Sequence, residues 1–202
     1  MQEGLRGAVL TFLAVAAYGA FHSLLASPWA KRLARRAFGE AAGRGYRLAF
    51  NLLAIITLLP VLAVPALEPG PALYFLRWPW AGLALAGQAA ALTALAIGLL
   101  QTDPWHFLGL RQLAQGEAGE PRLVVTGLYR WVRHPLYTAG LAFIWFTPWM
   151  STSLLALNLA LTAYIYIGSI FEEQRLTSEF GEAYLAYSRR TPRLIPRPAR
   201  PR

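Results

Sequence analysis

Hydrophobic residues fall into long runs that are separated by polar stretches rich in basic residues, glycine and proline. The runs lie near residues 5–26, 46–67, 78–100, 135–149 and 151–171. An apolar run of about 20 residues is long enough to cross the hydrocarbon core of a bilayer as a helix. The pattern therefore predicts an all-α, polytopic membrane protein with about five transmembrane helices, forming a single membrane domain over residues 1–202.

The polar stretches carry signals for shorter elements. In the loop SPWAKRLARRAFGEAAGRGYR, Trp29, Leu33 and Phe38 lie among basic residues at helical spacing, which predicts a short helix on the membrane surface. Asp103 before Pro104 indicates a helix start. The stretch Pro148-Trp149-Met150-Ser151 is too short for anything but a tight helical hairpin between the last two spans.

The residues after the fifth run continue a helical pattern. Leu176, Phe180, Tyr184 and Tyr187 recur at spacings of four, four and three, which predicts one face of a continuing amphipathic helix. Pro192 would end it, and residues 197–202 form a basic tail.

Composition and charge placement support the membrane assignment. Only 14% of the residues are charged, against about 25% in soluble domains. The net charge is +9, and 17 of the 19 basic residues fall in 27–47, 101–135 and 172–202, which an odd number of spans places on one side. The positive-inside rule puts those segments in the cytoplasm and the N-terminus outside. Membrane lipids are therefore favoured as partners of these charges, and nucleic acid is not expected. The absence of cysteine excludes disulfides, thiolate metal sites and a cysteine nucleophile.

The stretch GLYRWVRHPLYTAG, residues 127–140, concentrates the candidate chemistry. Pro135 suits the first turn of a helix, so Arg133 and His134 should lie at its start, where an anionic ligand group is favoured. Glu172 and Glu173 end the antiparallel fifth span at the same membrane border, and all four residues should share one pocket. In the alternative, structural interpretation, Arg133 binds lipid phosphates and pairs with a glutamate.

Two other histidines have ambiguous patterns. His22, near the end of the first span, suits either a haem or metal ligand or a hydrogen bond to a neighbouring helix. His106, between Trp105 and Phe107, suits either an interfacial anchor or part of a substrate entrance.

RHPLYTAG, followed by EEQRLTSEFGEAYLAYSRRTPRLIP, resembles the C-terminal half of integral membrane methyltransferases of the isoprenylcysteine carboxyl methyltransferase and phospholipid methyltransferase group. The shared landmarks are Arg-His-Pro-x-Tyr-x-x-Gly, a hydrophobic helix, Glu-Glu, Phe-Gly-x-x-Tyr and an arginine–proline end. They span about residues 122 to 196 in this order.

The resemblance implies S-adenosyl-L-methionine as cofactor, in a cytoplasmic pocket between the last two spans and the C-terminal amphipathic helix. The family's cofactor-binding positions match His134, Tyr137, Gly140, Glu172 and Glu173, and Arg133 matches the motif. Val124, Gly127 and Tyr129, in the segment that leads into the motif, are further cofactor-binding candidates. A cation or helix start suits the cofactor's carboxylate, a glutamate its ribose hydroxyls, and an aromatic ring its sulfonium. His106 as proton acceptor and Arg193 as a nearby cation are the candidate catalytic residues for a thiol acceptor.

The N-terminal half resembles a narrower group. FHSLLASPWAKR, YRLAFN and HFLGLRQL are similar to segments of bacterial membrane methyltransferases of the methanethiol type. This implies residues 1–120 as the substrate side, residues 121–196 as the methyltransferase-like half, and a bacterial inner membrane as the location. The expected function is methyl transfer to a small thiol or lipophilic acceptor.

The same FHSLLAS element also resembles denitrification-associated membrane proteins and zeta-carotene isomerase. The alternative is therefore a haem-binding redox or isomerase protein that uses His22. No other metal ligand is expected. A non-catalytic membrane scaffold is a third possibility.

Overall fold

The computed structural model describes residues 2–116 and 122–196, so the predicted basic tail at 197–202 lies outside the described residues. The helices are α1 (Gln2–Ala26), α2 (Pro28–Leu67), α3 (Trp80–Gln101), α4 (Pro104–Leu108), α5 (Leu110–Gln115), α6 (Pro135–Trp145), α7 (Thr152–Phe180) and α8 (Glu182–Arg190). A 3-10 turn (Gly127–Arg130) and two strands, β1 (Ala72–Phe75) and β2 (Trp149–Ser151), complete the order.

Within residues 2–116 and 122–196, four helices are long and apolar enough to cross a membrane: Gly4–Ala26, Pro28–Leu67, Trp80–Gln101 and Thr152–Phe180. They confirm the all-α, polytopic membrane architecture. The predicted fourth span at 135–149 is shorter than expected, because α6 has 11 residues and ends at Trp145. An 11-residue helix is about 16 Å long, roughly half the thickness of the hydrocarbon core.

The predicted helical hairpin joins α6 and α7 through residues 146–151, and part of this connection is an extended strand where a tight turn was expected. Residues 149–151 form β2, which pairs antiparallel with β1 so that Tyr74 faces Met150 and Phe75 faces Trp149. Pro148 disfavours helical geometry in the residue before it, and the extended chain that follows obtains its backbone hydrogen bonds from another strand. That partner, β1, lies between α2 and α3, more than 70 residues earlier in the sequence.

The chain divides into two compact units, and the division does not follow its N- and C-terminal halves. The first unit contains the described parts of 1–75, 103–121 and 149–161. Its core consists of Val15, Val61, Leu157 and Ala160. In this unit the predicted helix start at Asp103 is confirmed, because its Oδ1 accepts the backbone N–H of His106 at 3.2 Å.

The second unit contains the described parts of 76–102, 122–148 and 162–202. In it α3 packs closely on α6 through small residues. A Cβ at Gly98 would lie 3.0 Å from Leu136 Cδ2, and one at Gly87 would lie 2.9 Å from the Phe146 ring. Small side chains permit this close approach of two apolar helices. The contact with α3 fixes α6, at whose start His134 lies.

The predicted continuous helix after the fifth run is instead divided at Gly181. Its φ of 54° and ψ of −129° are open to glycine and strained for other residues. The break redirects α8, so that Tyr184 is 2% exposed. The Tyr187 hydroxyl donates to the Tyr129 carbonyl at 2.5 Å, which ties α8 to the 3-10 turn.

The candidate site

The start of α6 is paired with the extended segment Thr191–Leu194, which we call the C-terminal strap. The Arg133 N–H donates to the Pro192 carbonyl at 2.9 Å, and the His134 N–H donates to the Arg193 carbonyl at 3.2 Å. The Thr138 hydroxyl donates to the Leu194 carbonyl at 2.7 Å. The strap therefore brings Arg193 to the charged residues of the motif.

Glu173 on α7 is the centre of this cluster. Its Oε1 accepts from Arg133 Nε at 2.8 Å and from Arg193 Nε at 3.0 Å. Arg133 Nη2 also lies 2.7 Å from Oε1, and Arg193 Nη2 lies 2.7 Å from Oε2. One carboxylate, 14% exposed, thus joins two guanidinium groups in short, charge-assisted contacts.

Arg133 is fully engaged within the protein. Besides its bonds to Glu173, its Nη1 donates to the carbonyls of Ser188 at 2.8 Å and Thr191 at 2.6 Å. All three guanidinium nitrogens therefore have acceptors, and the side chain is 12% exposed. Arg133 links α6, α7, the end of α8 and the strap.

His134 lies between the two adjacent glutamates. Its Nε2 is 3.2 Å from Glu173 Oε1, and its Nδ1 is 3.5 Å from Glu172 Oε2. An imidazolium can donate to both carboxylates, whereas a neutral ring can donate to one. The Tyr137 ring stacks on the imidazole, with centroids 5.3 Å apart and an interplanar angle of 14°.

Glu172 is less occupied than Glu173. It accepts a hydrogen bond from the Tyr137 hydroxyl, and its other described contacts are the longer ones to His134 and to Arg175 Nη2 at 3.8 Å. Its side chain is 33% exposed, more than twice the exposed fraction of Glu173. Glu172 therefore keeps acceptor capacity for an external group.

The tyrosines around the cluster remain neutral phenols at neutral pH. Burial and the Glu172 charge raise the pKa of Tyr129 to about 12, while burial and the Glu173 charge raise that of Tyr184 to about 12. Hydrogen bonding to Glu173 raises the pKa of Arg193, whose guanidinium carbon lies 5.6 Å from the Tyr166 ring centre. These side chains offer aromatic faces and hydrogen-bond donors, and none of them acts as a base near neutral pH.

Two glycines of the motif differ in their surroundings. Gly127 has a φ of 61°, and a Cβ there would collide with the Gln101 side chain, whose Oε1 accepts the Leu128 N–H at 3.0 Å. A Cβ at Gly140 would meet no atom within 4 Å. The backbone conformation and the contact with Gln101 therefore explain why residue 127 is a glycine, whereas Gly140 borders open space. Val124 lies half-buried in the segment that precedes the turn.

The structure thus brings together Arg133, His134, Tyr137, Glu172, Glu173 and Arg193, as the sequence predicted for the first five. It adds backbone carbonyls at Ser188, Thr191 and Pro192, which sequence reasoning missed. The only signal for them was the arginine–proline end of the motif, because a carbonyl carries no side-chain signature.

His106 lies in the first unit, where it has a defined hydrogen-bond arrangement. Gln112 Nε2 lies 3.2 Å from both the His106 carbonyl and His106 Nδ1. The His106 carbonyl can only accept, so Gln112 Nε2 is the donor and His106 Nδ1 accepts from it. In the neutral imidazole of His106 the proton is therefore on the other ring nitrogen, His106 Nε2. Burial, followed by the Arg47 charge, lowers the pKa of His106 and favours that neutral form.

The other features of the first unit are His22 and an open hollow. The His22 ring lies 5.5 Å from that of Tyr18 and 4.5 Å from that of Phe50, centre to centre. The hollow has a volume of about 580 Å³ and is lined by Trp105, Leu110, Arg111, Leu113, Ala114 and Gln115.

Together these features define a polytopic helical membrane protein with a charged and aromatic cluster where a short helix begins. Residues 111–186 match the model of the isoprenylcysteine carboxyl methyltransferase (ICMT) family. This range includes every cluster residue except Arg193, and the predicted resemblance to membrane methyltransferases is confirmed.

Curated relatives point to the same type. The chain is 49% identical over 70 residues to methanethiol S-methyltransferase 2 of Bradyrhizobium diazoefficiens, covering 35% of this chain and 27% of the relative. It is 32% identical over 118 residues to methanethiol S-methyltransferase of Mycobacterium tuberculosis, covering 56% and 47%. It is 30% identical over 144 residues to methanethiol S-methyltransferase of Crocosphaera subtropica, covering 62% and 56%.

The chain spans from about a quarter to just over half of the length of these relatives. No solved structure shows a significant match to it.

Proposed function

We propose that this chain is a membrane methyltransferase that uses S-adenosyl-L-methionine and methylates a small thiol or a lipophilic acceptor. The observation that carries the proposal is the cluster at the start of α6, which lies almost wholly inside the family match at 111–186. The named relatives favour a thiol such as methanethiol as acceptor. We place the protein in a bacterial inner membrane, with its basic segments and C-terminus in the cytoplasm.

The cluster offers suitable partners for the cofactor. Glu172 can accept from two hydroxyls of a ribose, since its carboxylate is partly exposed and held by few short contacts. The face of Tyr137, held by its stacking on His134, suits a cation such as a sulfonium. The N–H groups in the first turn of α6 have no intrahelical acceptor and suit a carboxylate. The space beside Gly140 suits close approach of the cofactor.

Arg133 and Glu173 have a different role in this proposal. Their polar atoms are already satisfied by each other, by Arg193 and by backbone carbonyls, so they position His134 and the strap. We therefore propose an indirect role for Arg133 in place of a direct contact with the cofactor's carboxylate. When bound, the cofactor supplies an electrophilic methyl group; the protein's own task is to align the acceptor behind it.

A thiol acceptor must react as thiolate, and a free thiol has a pKa near 8.5. Arg193 is the cation of the cluster with the most exposed side chain, although Glu173 neutralises much of its charge. Among the described groups, His106 accepts from Gln112 through Nδ1, so it could take a thiol proton only after this bond is broken. We propose Arg193 as the group that stabilises a thiolate, whose proton passes to solvent before methyl transfer.

The test is cofactor binding and product formation with purified protein in detergent. Glu172→Gln should weaken S-adenosyl-L-methionine binding by about 1–3 kcal/mol, the effect of losing a hydrogen bond to a charged group. Glu182→Gln is a matched control, because Glu182 is 84% exposed and pairs only with Arg189 at 3.6 Å within the described residues. Wild-type affinity in the Glu172 variant would place the cofactor elsewhere.

Products should be sought by mass spectrometry with a small thiol, a prenylcysteine and a phospholipid. Methylation of the thiol alone supports the thiol acceptor, and methylation of a lipophilic compound alone replaces it. Absence of binding and of all products would refute the methyltransferase. A Soret band in the absorbance spectrum would instead support the haem alternative with His22.

A further inference from the structure

The first eleven residues of α2 form a separate amphipathic helix. Ser27 caps it, since its Oγ accepts the Ala30 N–H at 3.2 Å, and Pro28 occupies the first helical position. Gly39 ends it, because φ of 59° and ψ of −141° are not helical. We call residues 28–38 the basic segment.

The basic segment belongs to an excess of chain that a membrane span does not need. The 40 residues of α2 would extend about 60 Å as one continuous helix, or about twice the hydrocarbon thickness. The Tyr46 hydroxyl donates to the Leu25 carbonyl at 2.6 Å, so the chain is back beside the end of α1 by Tyr46. Residues 47–67 alone are long enough to span, which leaves the basic segment outside the membrane core.

The two faces of the basic segment differ in chemistry. At 100° per residue, the cationic side chains occupy an arc of about 140°, and the apolar ones occupy the opposite half of the helix. The cations are Lys31, Arg32, Arg35 and Arg36, all exposed, and the segment contains no acidic residue. Among the apolar side chains, Trp29, Leu33 and Phe38 are 56%, 50% and 72% exposed.

We propose that the basic segment docks on a bilayer surface that contains anionic phospholipids. Its apolar face enters the interface between headgroups and acyl chains, and its four cations contact phosphate groups. The apolar half of the helix matches the acyl-chain boundary of such a bilayer, and the cationic arc matches its negatively charged headgroups. The break at Gly39, where a Cβ would meet no atom within 4 Å, lets the segment leave the direction of the span. This docking does not depend on the methyl-transfer proposal.

The experiment uses the full chain in lipid nanodiscs and a single fluorescent label. The chain contains no cysteine, so Leu33→Cys gives a unique site for an environment-sensitive fluorophore on the apolar face. Lys31→Cys gives a matched site on the cationic face of the same helix. Nanodiscs contain phosphatidylcholine alone or with about 30% phosphatidylglycerol, a negative surface that attracts basic residues.

With anionic lipid, the label at position 33 should shift to the blue and be quenched by lipid-attached nitroxide, while that at position 31 stays solvated. Replacing all four cations by glutamine should weaken docking by about fivefold for each residue removed. Raising the salt from about 0.01 M to about 1 M should reverse the shift, because the screening length falls from about 30 Å to about 3 Å.

Three results would overturn the proposal: equal burial in both lipids, burial that survives the four substitutions, or a solvated label at position 33 in both lipids. Unchanged thermal unfolding of the four-glutamine variant ensures that a lost signal reports docking. Cofactor binding measured on the same sample separates this outcome from failure of the proposed function.

Discussion

Replacing Glu173 by glutamine should destabilise the fold far more than the same change at Glu172, although the two residues are adjacent. Glu173→Gln preserves size but removes the one negative charge between Arg133 and Arg193, and it places an amide N–H₂ where both carboxylate oxygens accept hydrogen bonds. The three side chains are 14%, 12% and 28% exposed, so solvent screens the pairs only in part.

Breaking a buried ion pair by removing one partner costs about 3–5 kcal/mol, and partial exposure reduces this to about 2–4 kcal/mol. For a chain of this size the change corresponds to a decrease of about 6–12 °C in the unfolding temperature. Glu172 is 33% exposed and has only longer ion-pair contacts, so Glu172→Gln should cost less than about 1 kcal/mol.

The assay is thermal unfolding of both variants in the same detergent, followed by intrinsic fluorescence, with cofactor titration at a temperature where both are folded. We expect Glu173→Gln to lose stability, and Glu172→Gln to lose cofactor affinity while it keeps stability. Equal unfolding temperatures for the two variants would refute the assignment of Glu173 as the structural carboxylate.

The other predictions concern two glycines, His106 and the membrane orientation. Gly127→Ala should destabilise the protein by about 1–3 kcal/mol in thermal unfolding, because of its positive φ and the collision with Gln101. Gly140→Ala should leave stability unchanged or higher and weaken cofactor binding, with Gly168→Ala, also without a neighbour within 4 Å, as the control for helix propensity; equal binding by these two variants would remove Gly140 from the site. The lowered pKa of His106 means that its neutral form stabilises the fold above the unfolded-state pKa near 6.5, and that this contribution is lost as the pH falls through the folded-state pKa. Below about pH 6.5 the unfolding temperature should therefore fall more steeply with decreasing pH for the wild type than for His106→Asn. Parallel curves for the two proteins would contradict this prediction. Cysteines at Gly43, Gln115 and Ser188 should be labelled by an impermeant reagent from the cytoplasmic side, and one at Leu73, which is 50% exposed, from the other; labelling of Gln115 and Leu73 from one side would exclude the predicted orientation.

Much of the architecture could be predicted because apolar length is a local property of the sequence. The first and third spans lie within a few residues of the predicted runs, and Pro135 begins its helix as expected. The second span ends at Leu67 as predicted, but its helix begins at Pro28, well before residue 46. The errors occur where long-range contacts decide. The connection between α6 and α7 contains the strand β2 where a tight turn was predicted, because its backbone pairs with β1. At Gly181 the amphipathic periodicity continues through a glycine whose backbone leaves the helix.

The site was predictable to the level of residue identity but not of residue role. Motif spacing and antiparallel helix ends were enough to place Arg133, His134, Glu172 and Glu173 together. They could not show that Arg133 uses all its nitrogens internally, because the carbonyls of Ser188 and Thr191 are available only after α8 turns at Gly181. The same applies to His106, whose tautomer depends on Gln112, six residues away.

Adjacent glutamates on one helix provide a physical reason for a division of roles. Successive residues of a helix point about 100° apart, so Glu172 and Glu173 face largely different partners. Glu173 faces two arginines and fixes the strap, while Glu172 faces Tyr137 and remains partly open. His134 contacts both, one with each ring nitrogen. A ligand that donates hydrogen bonds to Glu172 would therefore compete with His134 Nδ1 for this carboxylate, and through the imidazole ring it would act on Glu173, which binds Arg133 and Arg193. We therefore expect ligand binding at Glu172 and the stability of the strap contacts to be coupled through His134 and Glu173, so that Glu173→Gln should reduce the gain in unfolding temperature that S-adenosyl-L-methionine gives.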